Sequence, residues 1–253
     1  MVKVSVILPT YNERENIDKI IWKLGAILSE AGYDYEIIVV DDNSPDGTAH
    51  VAEALSKTYP VKVVKRPGRL GLTSAIYDGF KTASGEYLVV MDADFQHPPE
   101  LVPELLAKLK ECDLVVASRY VKGGKIENWS LTREIISKGA ILGARLLIPE
   151  CRRVKDPVSG FFALRREIIE KWKPIEPRGY KALVEIIAST KPRRICEVPF
   201  TFRGRERGTS KLGSKQIFSY AKLLVKLGFK YFLVYSIVVI IVLLAIIYFI
   251  LFS

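Results

Sequence analysis

Cysteine and histidine are scarce in this chain, and the shortage excludes several chemistries. Its three cysteines, Cys112, Cys151 and Cys196, are odd in number and form no C-x-x-C pair. That spacing offers neither a zinc site nor a disulfide framework, so reduced thiols in the core are the expectation. His50 and His97 are the only histidines, and His97, wedged before Pro98-Pro99, reads as structural. No G-x-G-x-x-G follows the first apolar run and no G-x-x-x-x-G-K-S/T occurs, which removes the dehydrogenase and P-loop fingerprints. Internal repeats and low-complexity tracts are missing as well. The opening Met1–Leu8 stretch is too short for a signal peptide and runs into Pro9, so it reads as a first strand.

Positive charge and one long apolar run are what the chain has in excess. Its 253 residues carry a formal net charge of +10, which calls for an anionic partner: nucleic acid, an acidic membrane surface or a phosphorylated substrate. From Tyr231 to Phe252 every residue is apolar or aromatic except Ser236. At about 1.5 Å per residue such a helix just spans a hydrocarbon core of roughly 30 Å. Lys215, Lys222, Lys226 and Lys230 crowd its near side, so by the positive-inside tendency the remainder is expected on the cytoplasmic face, held by a single C-terminal anchor. Between them, Gln216–Phe229 sets a lysine stripe beside Leu223, Leu224 and Leu227, the pattern of an amphipathic interface helix. The expected units are 1–212, 213–230 and 231–252. With such an anchor and an acidic crevice, no nucleic-acid partner is expected.

Apolar strands alternate with helical patterns over the first 120 residues or so. Strands are expected at Lys3–Leu8, Glu36–Val40, Val61–Val64, Tyr87–Met91 and Asp113–Ala117. Helices are expected at Ile17–Leu28, from Ser44 to about Lys57 with Ser44 as cap and Pro45 at the first position, at Leu72–Thr82 and at Pro98–Lys110. Alternation of this kind makes an α/β fold, a mostly parallel sheet with helices on both faces, and ligands bind beyond its strands' carboxyl ends. Beyond Ser118 the pattern is more basic: a helix over Leu131–Leu147, a turn at Asp156–Gly160, a helix after Lys181, a short strand from Cys196 to Phe202, then a basic glycine-containing loop at Arg203–Lys211.

The polar residues gather at three strand ends: Tyr11 and Glu13, then Asp42, then Asp92 and Asp94 with Gln96. If strand alternation persists past Met91, the two aspartates point the same way. Two carboxylates and an amide are hard oxygen donors suited to Mg²⁺ or Mn²⁺, which typically keep positions open for water and substrate phosphates. A crevice of this type would hold a nucleotide diphosphate through a metal. With a membrane anchor, the set suggests a nucleotide-activated donor and a lipid acceptor. A phosphate on that acceptor would be anionic at neutral pH, since a monoester's second pKa is about 6, so no general base is needed. Cations must then offset the repulsion between two anions; Arg119, Arg133, Lys138, Arg205 and Lys211 are the candidates.

The segments VSVILPTYNERENI, VVDDNSPDGT, VVMDADFQHPPE, ASRYVKGG, ISKGA, DPVSGFFALRR and EVPFTFRGRERGTSKL, in that order, resemble the dolichyl-phosphate mannose synthases, inverting glycosyltransferases of family 2. The likeness runs from Val4 to Leu212. It implies a GT-A (Rossmann-like) fold, GDP-mannose as donor, dolichyl or another polyprenyl phosphate as acceptor, and Mg²⁺ or Mn²⁺ as cofactor. Asp92, Asp94 and Gln96 match the metal positions. Pro9, Tyr11, Glu13, Val40 and Asp42 match positions around the guanosine, and Ala93, Arg205, Lys211 and Lys181 further donor contacts. Arg119, Arg133 and Ser137 match positions facing the acceptor phosphate, so Asp94, Arg119 and Arg133 are the expected catalytic set. Members differ after the catalytic domain, which leaves the need for partner subunits open. The Q-x-x-R-W motif and multiple spans of the processive relatives are not found. Two alternatives stand beside this reading: glucose transfer from UDP-glucose to the same lipid, and a membrane-tethered protein that binds a nucleotide sugar without turnover.

Overall fold

In the computed structural model, residues 2–203, 217–229 and 231 are described. Seven strands form one sheet in the order β3-β2-β1-β4-β7-β5-β8. β1 (Lys3–Thr10), β2 (Asp34–Asp41), β3 (Val61–Lys65) and β4 (Tyr87–Val90) run parallel to one another. β5 (Leu114–Ser118) and β8 (Ile195–Pro199) also pair in parallel. β7 (Phe162–Arg165) is inserted antiparallel between β4 and β5. Sequence patterning reached only an apolar segment there, because a four-residue buried run carries no mark of its direction. A separate two-strand sheet pairs β6 (Lys125–Ile126) with β9 (Thr201–Phe202).

Both sheet faces are covered, and the strands' period of two divides the core accordingly. Val4, Val6, Leu8, Ile37, Val39 and Val89 pack under α1 (Arg14–Glu30) and α4 (Val102–Lys108). Ile7, Ile38, Val40, Leu88 and Val90 pack on the other face under α3 (Leu72–Thr82), α5 (Leu131–Leu147) and α6 (Ala182–Thr190). In α1 the buried Ile17, Ile20, Ile21, Leu24 and Leu28 follow the helical spacing of an amphipathic stripe. Each such fully buried side chain contributes on the order of 1.5–3 kcal/mol. The helical residues 217–229, here α7, add Leu223, Leu224 and Leu227 to the second face. Lys222 and Lys226 of α7 meet the Glu176 carboxylate at 3.4 and 2.8 Å.

Four expectations are corrected. Ser44 does not cap a helix: its hydroxyl donates to Asp41 Oδ1 (2.5 Å) and accepts the Asn12 N–H (2.9 Å). Instead α2 (Thr48–Leu55) begins after Gly47, whose φ of +87° is the left-handed conformation glycine adopts without strain. The helix expected from Pro98 is a 3-10 turn at Pro99–Leu101 followed by α4. The strand alternation stops at Val90 and does not carry through the aspartates; Phe95 takes φ +60° as the chain bends. Finally, Cys112 and Cys196 are joined in a disulfide and only Cys151 is a buried free thiol. The parallel pairing of β5 with β8 brings these two together from 84 residues apart, a proximity that spacing rules cannot detect.

No helix among the described residues is long and apolar enough to cross a membrane. Apart from Tyr231, the expected span lies outside them, as do Arg205 and Lys211.

Candidate active site

The carboxyl ends of β1, β2 and β4 open into one cavity of about 670 Å³, the crevice that strand order alone points to. From β1 come Pro9, Tyr11 and Glu13; from β2, Asp42; from the turn after β4, Asp92, Ala93, Asp94 and Gln96. The opposite wall holds Arg119 after β5, Arg133 and Ser137 on α5, and Lys181 before α6. Thus every described residue expected at the site lines this cavity except Val40 and Lys138. Val40 is packed in the core, and its carbonyl accepts the Thr10 hydroxyl at 3.5 Å. Lys138 is not part of the wall; it is exposed and paired with Glu134 at 2.6 Å.

Two arginines that sequence reasoning missed meet Asp42 and Tyr11. Arg66, buried at the end of β3, donates to the Asp42 carboxylate, to the Gly71 carbonyl (3.1 Å) and to the Ser74 hydroxyl (2.6 Å). Asp42 also accepts the Gly71 N–H at 3.0 Å. Gly71 has φ +105°, and a Cβ there would sit 2.6 Å from the Arg178 backbone. The loop can therefore close over Asp42 only with glycine at that position. Arg69 lies 4.4 Å above the Tyr11 ring.

The acidic turn presents oxygen donors only. Asp94 is buried and accepts the Gln96 N–H (3.2 Å), while the Gln96 amide donates to the Arg203 carbonyl (3.1 Å). His97 Nδ1 accepts the Asp92 N–H at 2.9 Å, and its ring stacks on Phe161. Burial, reinforced by Arg119 and Lys181 against the pull of Asp94, lowers the His97 pKa to about 4. The imidazole is therefore neutral at pH 7, with Nδ1 engaged, which bears out its structural reading. No group of three or more His, Cys, Asp or Glu that could hold a metal lies together among the described residues. Two carboxylates and an amide oxygen, with coordination positions left for water and substrate, fit Mg²⁺ or Mn²⁺ and do not fit zinc.

The cationic end is built on a buried ion pair. Arg119 donates from Nε and Nη2 to the two oxygens of Asp156, both at 2.8 Å. Burial alone would lower the Arg119 pKa, but Asp156 overrides it and raises it. The sequence shows Asp156 only as part of a turn; its tie to Arg119 spans 37 residues and has no local signature. Lys181 donates to the Val158 carbonyl at 2.9 Å, and burial, with Arg119 adding to it, lowers its pKa to about 8.

A family model for glycosyl transferase family 2 matches residues 5–173. The dolichol-phosphate mannosyltransferase of Pyrococcus furiosus is 53% identical over 222 residues, covering 87% of this chain and 62% of that protein. That of Saccharomyces cerevisiae is 40% identical, over 89% of this chain and 87% of its own length. Among solved structures, mannosyl-3-phosphoglycerate synthase from Rubrobacter xylanophilus superposes with a TM-score of 0.69 at 20% identity, covering 89% of this chain and 73% of that one. Glucosyl-3-phosphoglycerate synthase from Mycobacterium tuberculosis, solved with Mn²⁺, UDP-glucose and phosphoglyceric acid, gives 0.69 at 24% identity over 90% and 80%. These likenesses show the fold, the GT-A arrangement of a mostly parallel sheet between helices. With the model match spanning the sheet from β1 through β7 and carrying the acidic turn, the chain belongs to glycosyl transferase family 2 and is a glycosyltransferase.

Proposed function

We propose that the protein transfers mannose from GDP-mannose to dolichyl or another polyprenyl phosphate, with inversion at the anomeric carbon. The observation that carries this is a single cavity with acids at one end and arginines at the other. The 53% identity to a relative named for that reaction supports it. Tyr11, Glu13 and Asp42 take the nucleoside, with Arg66 keeping the Asp42 carboxylate in place. Pro9 and Ala93 frame the donor, and Lys181, Arg205 and Lys211 complete its anionic contacts.

Asp92, Asp94 and Gln96 would hold Mg²⁺ or Mn²⁺, which offsets the charge gathering on the departing diphosphate. Arg119, Arg133 and Ser137 receive the acceptor phosphate. One of its oxygens, already anionic, forms the bond to mannose C1 as the C1–O bond to GDP breaks, and the electron pair leaves with GDP. No proton has to move. Because the attacking oxygen is already anionic, this reaction needs no general base. The two cations reduce the repulsion between incoming phosphate and departing diphosphate. The apolar run at 231–252 and the lysines before it support a site at a cytoplasmic membrane face, where a polyprenyl headgroup is presented.

Purified full-length protein is incubated with Mn²⁺, a polyprenyl phosphate and a panel of labelled GDP-mannose, UDP-glucose and GDP-glucose. The expected result is label in the lipid phase from GDP-mannose. Label from UDP-glucose alone, or binding of GDP-mannose without turnover, overturns the proposal.

A further inference from the structure

We infer that Tyr120 is a positioning residue of the acceptor-phosphate site, its hydroxyl bonding that of Ser137 so that the serine's own proton is left for the incoming phosphate; this rests on the transfer reading above. Tyr120 Oη donates to Ser137 Oγ at 3.0 Å. Ser137 lines the cavity with Arg119 and Arg133, while Tyr120 is partly buried on the sheet's second face. The Arg119 guanidinium carbon lies 5.5 Å from the Tyr120 ring and 5.4 Å from that of Trp129, over which Arg133 also sits, at 4.3 Å.

Packing alone does not seat the part of α5 that carries Arg133 and Ser137. From Leu131 to Ala140 no residue is buried; the buried ones, Ile141 and Ala144, come later in the helix. Side-chain hydrogen bonds tie this half down. The Tyr220 hydroxyl of α7 donates to the Ala140 carbonyl at 2.8 Å, and Tyr120 reaches Ser137 from the end of β5. The Tyr120 backbone is itself fixed: its N–H donates to the Ser118 hydroxyl at 3.4 Å, and the N–H before it, on Arg119, to Asp156 at 3.1 Å. The chain then folds back, the Gly124 N–H donating to the Val121 carbonyl at 2.9 Å. A Cβ at Gly124 would sit 2.7 Å from the Arg119 carbonyl, so only glycine lets the return pass this close.

A tyrosine suits this place because of what a serine hydroxyl holds, one proton and two lone pairs. In a helix that proton can be donated to the carbonyl four residues back. The Thr82 and Thr190 hydroxyls do this, to Asp78 and Ile186 at 2.9 and 2.8 Å. A Ser137 engaged in that way would offer an anion only lone pairs. The Tyr120 proton instead occupies one lone pair and holds the Ser137 oxygen on the side of β5. The serine's own proton is then left for a phosphate oxygen. Arg119 and Arg133 supply charge to the site, and Ser137 adds a neutral donor of fixed direction.

A hydroxyl that only stabilised the fold would matter whether or not position 137 carries one, so the test is a double-mutant cycle on acceptor KM. Tyr120→Phe keeps the ring beside Arg119 and should raise KM for polyprenyl phosphate about fivefold, with KM for GDP-mannose within about twofold. In a Ser137→Ala background the same change should add less than about twofold. 4-Aminophenylalanine placed at position 120 keeps a donor there and should restore most of the loss. Where Tyr120→Phe does not fold, 4-fluorophenylalanine at that position, which fills the hydroxyl's place without a proton, is held to the same limits. A full effect in the Ser137→Ala background, no effect in the native one, or equal shifts in both KM values overturns the inference. Should the wild type fail to mannosylate lipid, the transfer reading falls and decyl phosphate binding by calorimetry decides the Tyr120–Ser137 pair. There, about fivefold weaker binding by Tyr120→Phe that vanishes in Ser137→Ala supports it. Equal affinity, or the same loss in both backgrounds, overturns it.

Discussion

The Asp156 carboxylate collects three N–H groups from one residue, Arg119: the backbone N–H at 3.1 Å, and Nε and Nη2 at 2.8 Å each. Asp156 is fully buried, and its own N–H donates to Glu197 at 3.1 Å. The cationic end of the cavity is thus anchored in the core, on an ion pair whose members cannot be removed singly without stranding a charge.

That arrangement gives an asymmetric expectation. Asp156→Ala leaves a buried guanidinium unpaired and should lower stability by about 3–5 kcal/mol. The double variant Asp156→Ala with Arg119→Met removes both charges and should recover most of that loss in urea denaturation. Transfer should stay lost in both. A double variant as unstable as the single one would show that packing, and not the charge, sets the cost.

Glu36 makes stability pH-dependent far from the site. Burial pushes its pKa up, but the Lys62 ammonium at 2.7 Å, the Ser5 and Ser84 hydroxyls and the Ser84 N–H outweigh it, leaving the carboxyl at about 2. The folded value lies below the unfolded one of about 4.3. Its contribution is therefore full above that value and is lost as pH falls through about 2. Glu36→Gln should cost on the order of 3 kcal/mol at pH 7, with the gap to wild type narrowing below pH ~4. Urea titrations of both proteins at several pH values measure it; a gap independent of pH contradicts the assignment.

Gly79 tests how tightly α3 is seated. Alanine at a helical position gains about 1 kcal/mol over glycine in propensity alone. A Cβ at Gly79, however, would lie 2.5 Å from Ile7 Cγ2 and 3.3 Å from Val40 Cγ2, both in the sheet beneath. Overpacking of that kind costs about 1–3 kcal/mol, so the contact outweighs propensity. Gly79→Ala should lower the melting temperature, and its cost should be smaller in an Ile7→Ala background, where both contacting Ile7 Cγ atoms are gone.

Metal dependence should be separable from folding at Asp94. Asparagine keeps an oxygen for the Gln96 N–H that Asp94 accepts at 3.2 Å, so the turn survives Asp94→Asn. Losing one carboxylate should weaken Mn²⁺ binding and lower transfer by about 10²–10³-fold, with an unchanged melting curve. Calorimetric Mn²⁺ titration in the presence of GDP reads the first; unaltered binding would place the ion elsewhere.

Much of this was legible in the linear chain because it is local. The apolar runs ending at Leu8, Val40 and Met91 marked parallel strands, and the helix bounds Leu72–Thr82 and Leu131–Leu147 were readable from periodicity alone. The acids at three strand ends pointed to one crevice because parallel strands put their carboxyl ends on the same edge. Ser44 misled for the same local reason: it has the chemistry of a cap, but Asp41 and Asn12 claim it first.

Alternating apolar runs and a diacid turn determine by themselves a mostly parallel α/β sheet with carboxylates gathered at its rim, because backbone periodicity and side-chain chemistry act over a few residues. Tertiary structure alone decided that β7 enters antiparallel, that Cys112 reaches Cys196, that Asp156 holds Arg119 and that Trp129 lies under Arg133. Those contacts join residues far apart or through turns. They follow from which chain segment the packing leaves beside which, and no spacing along the sequence encodes that.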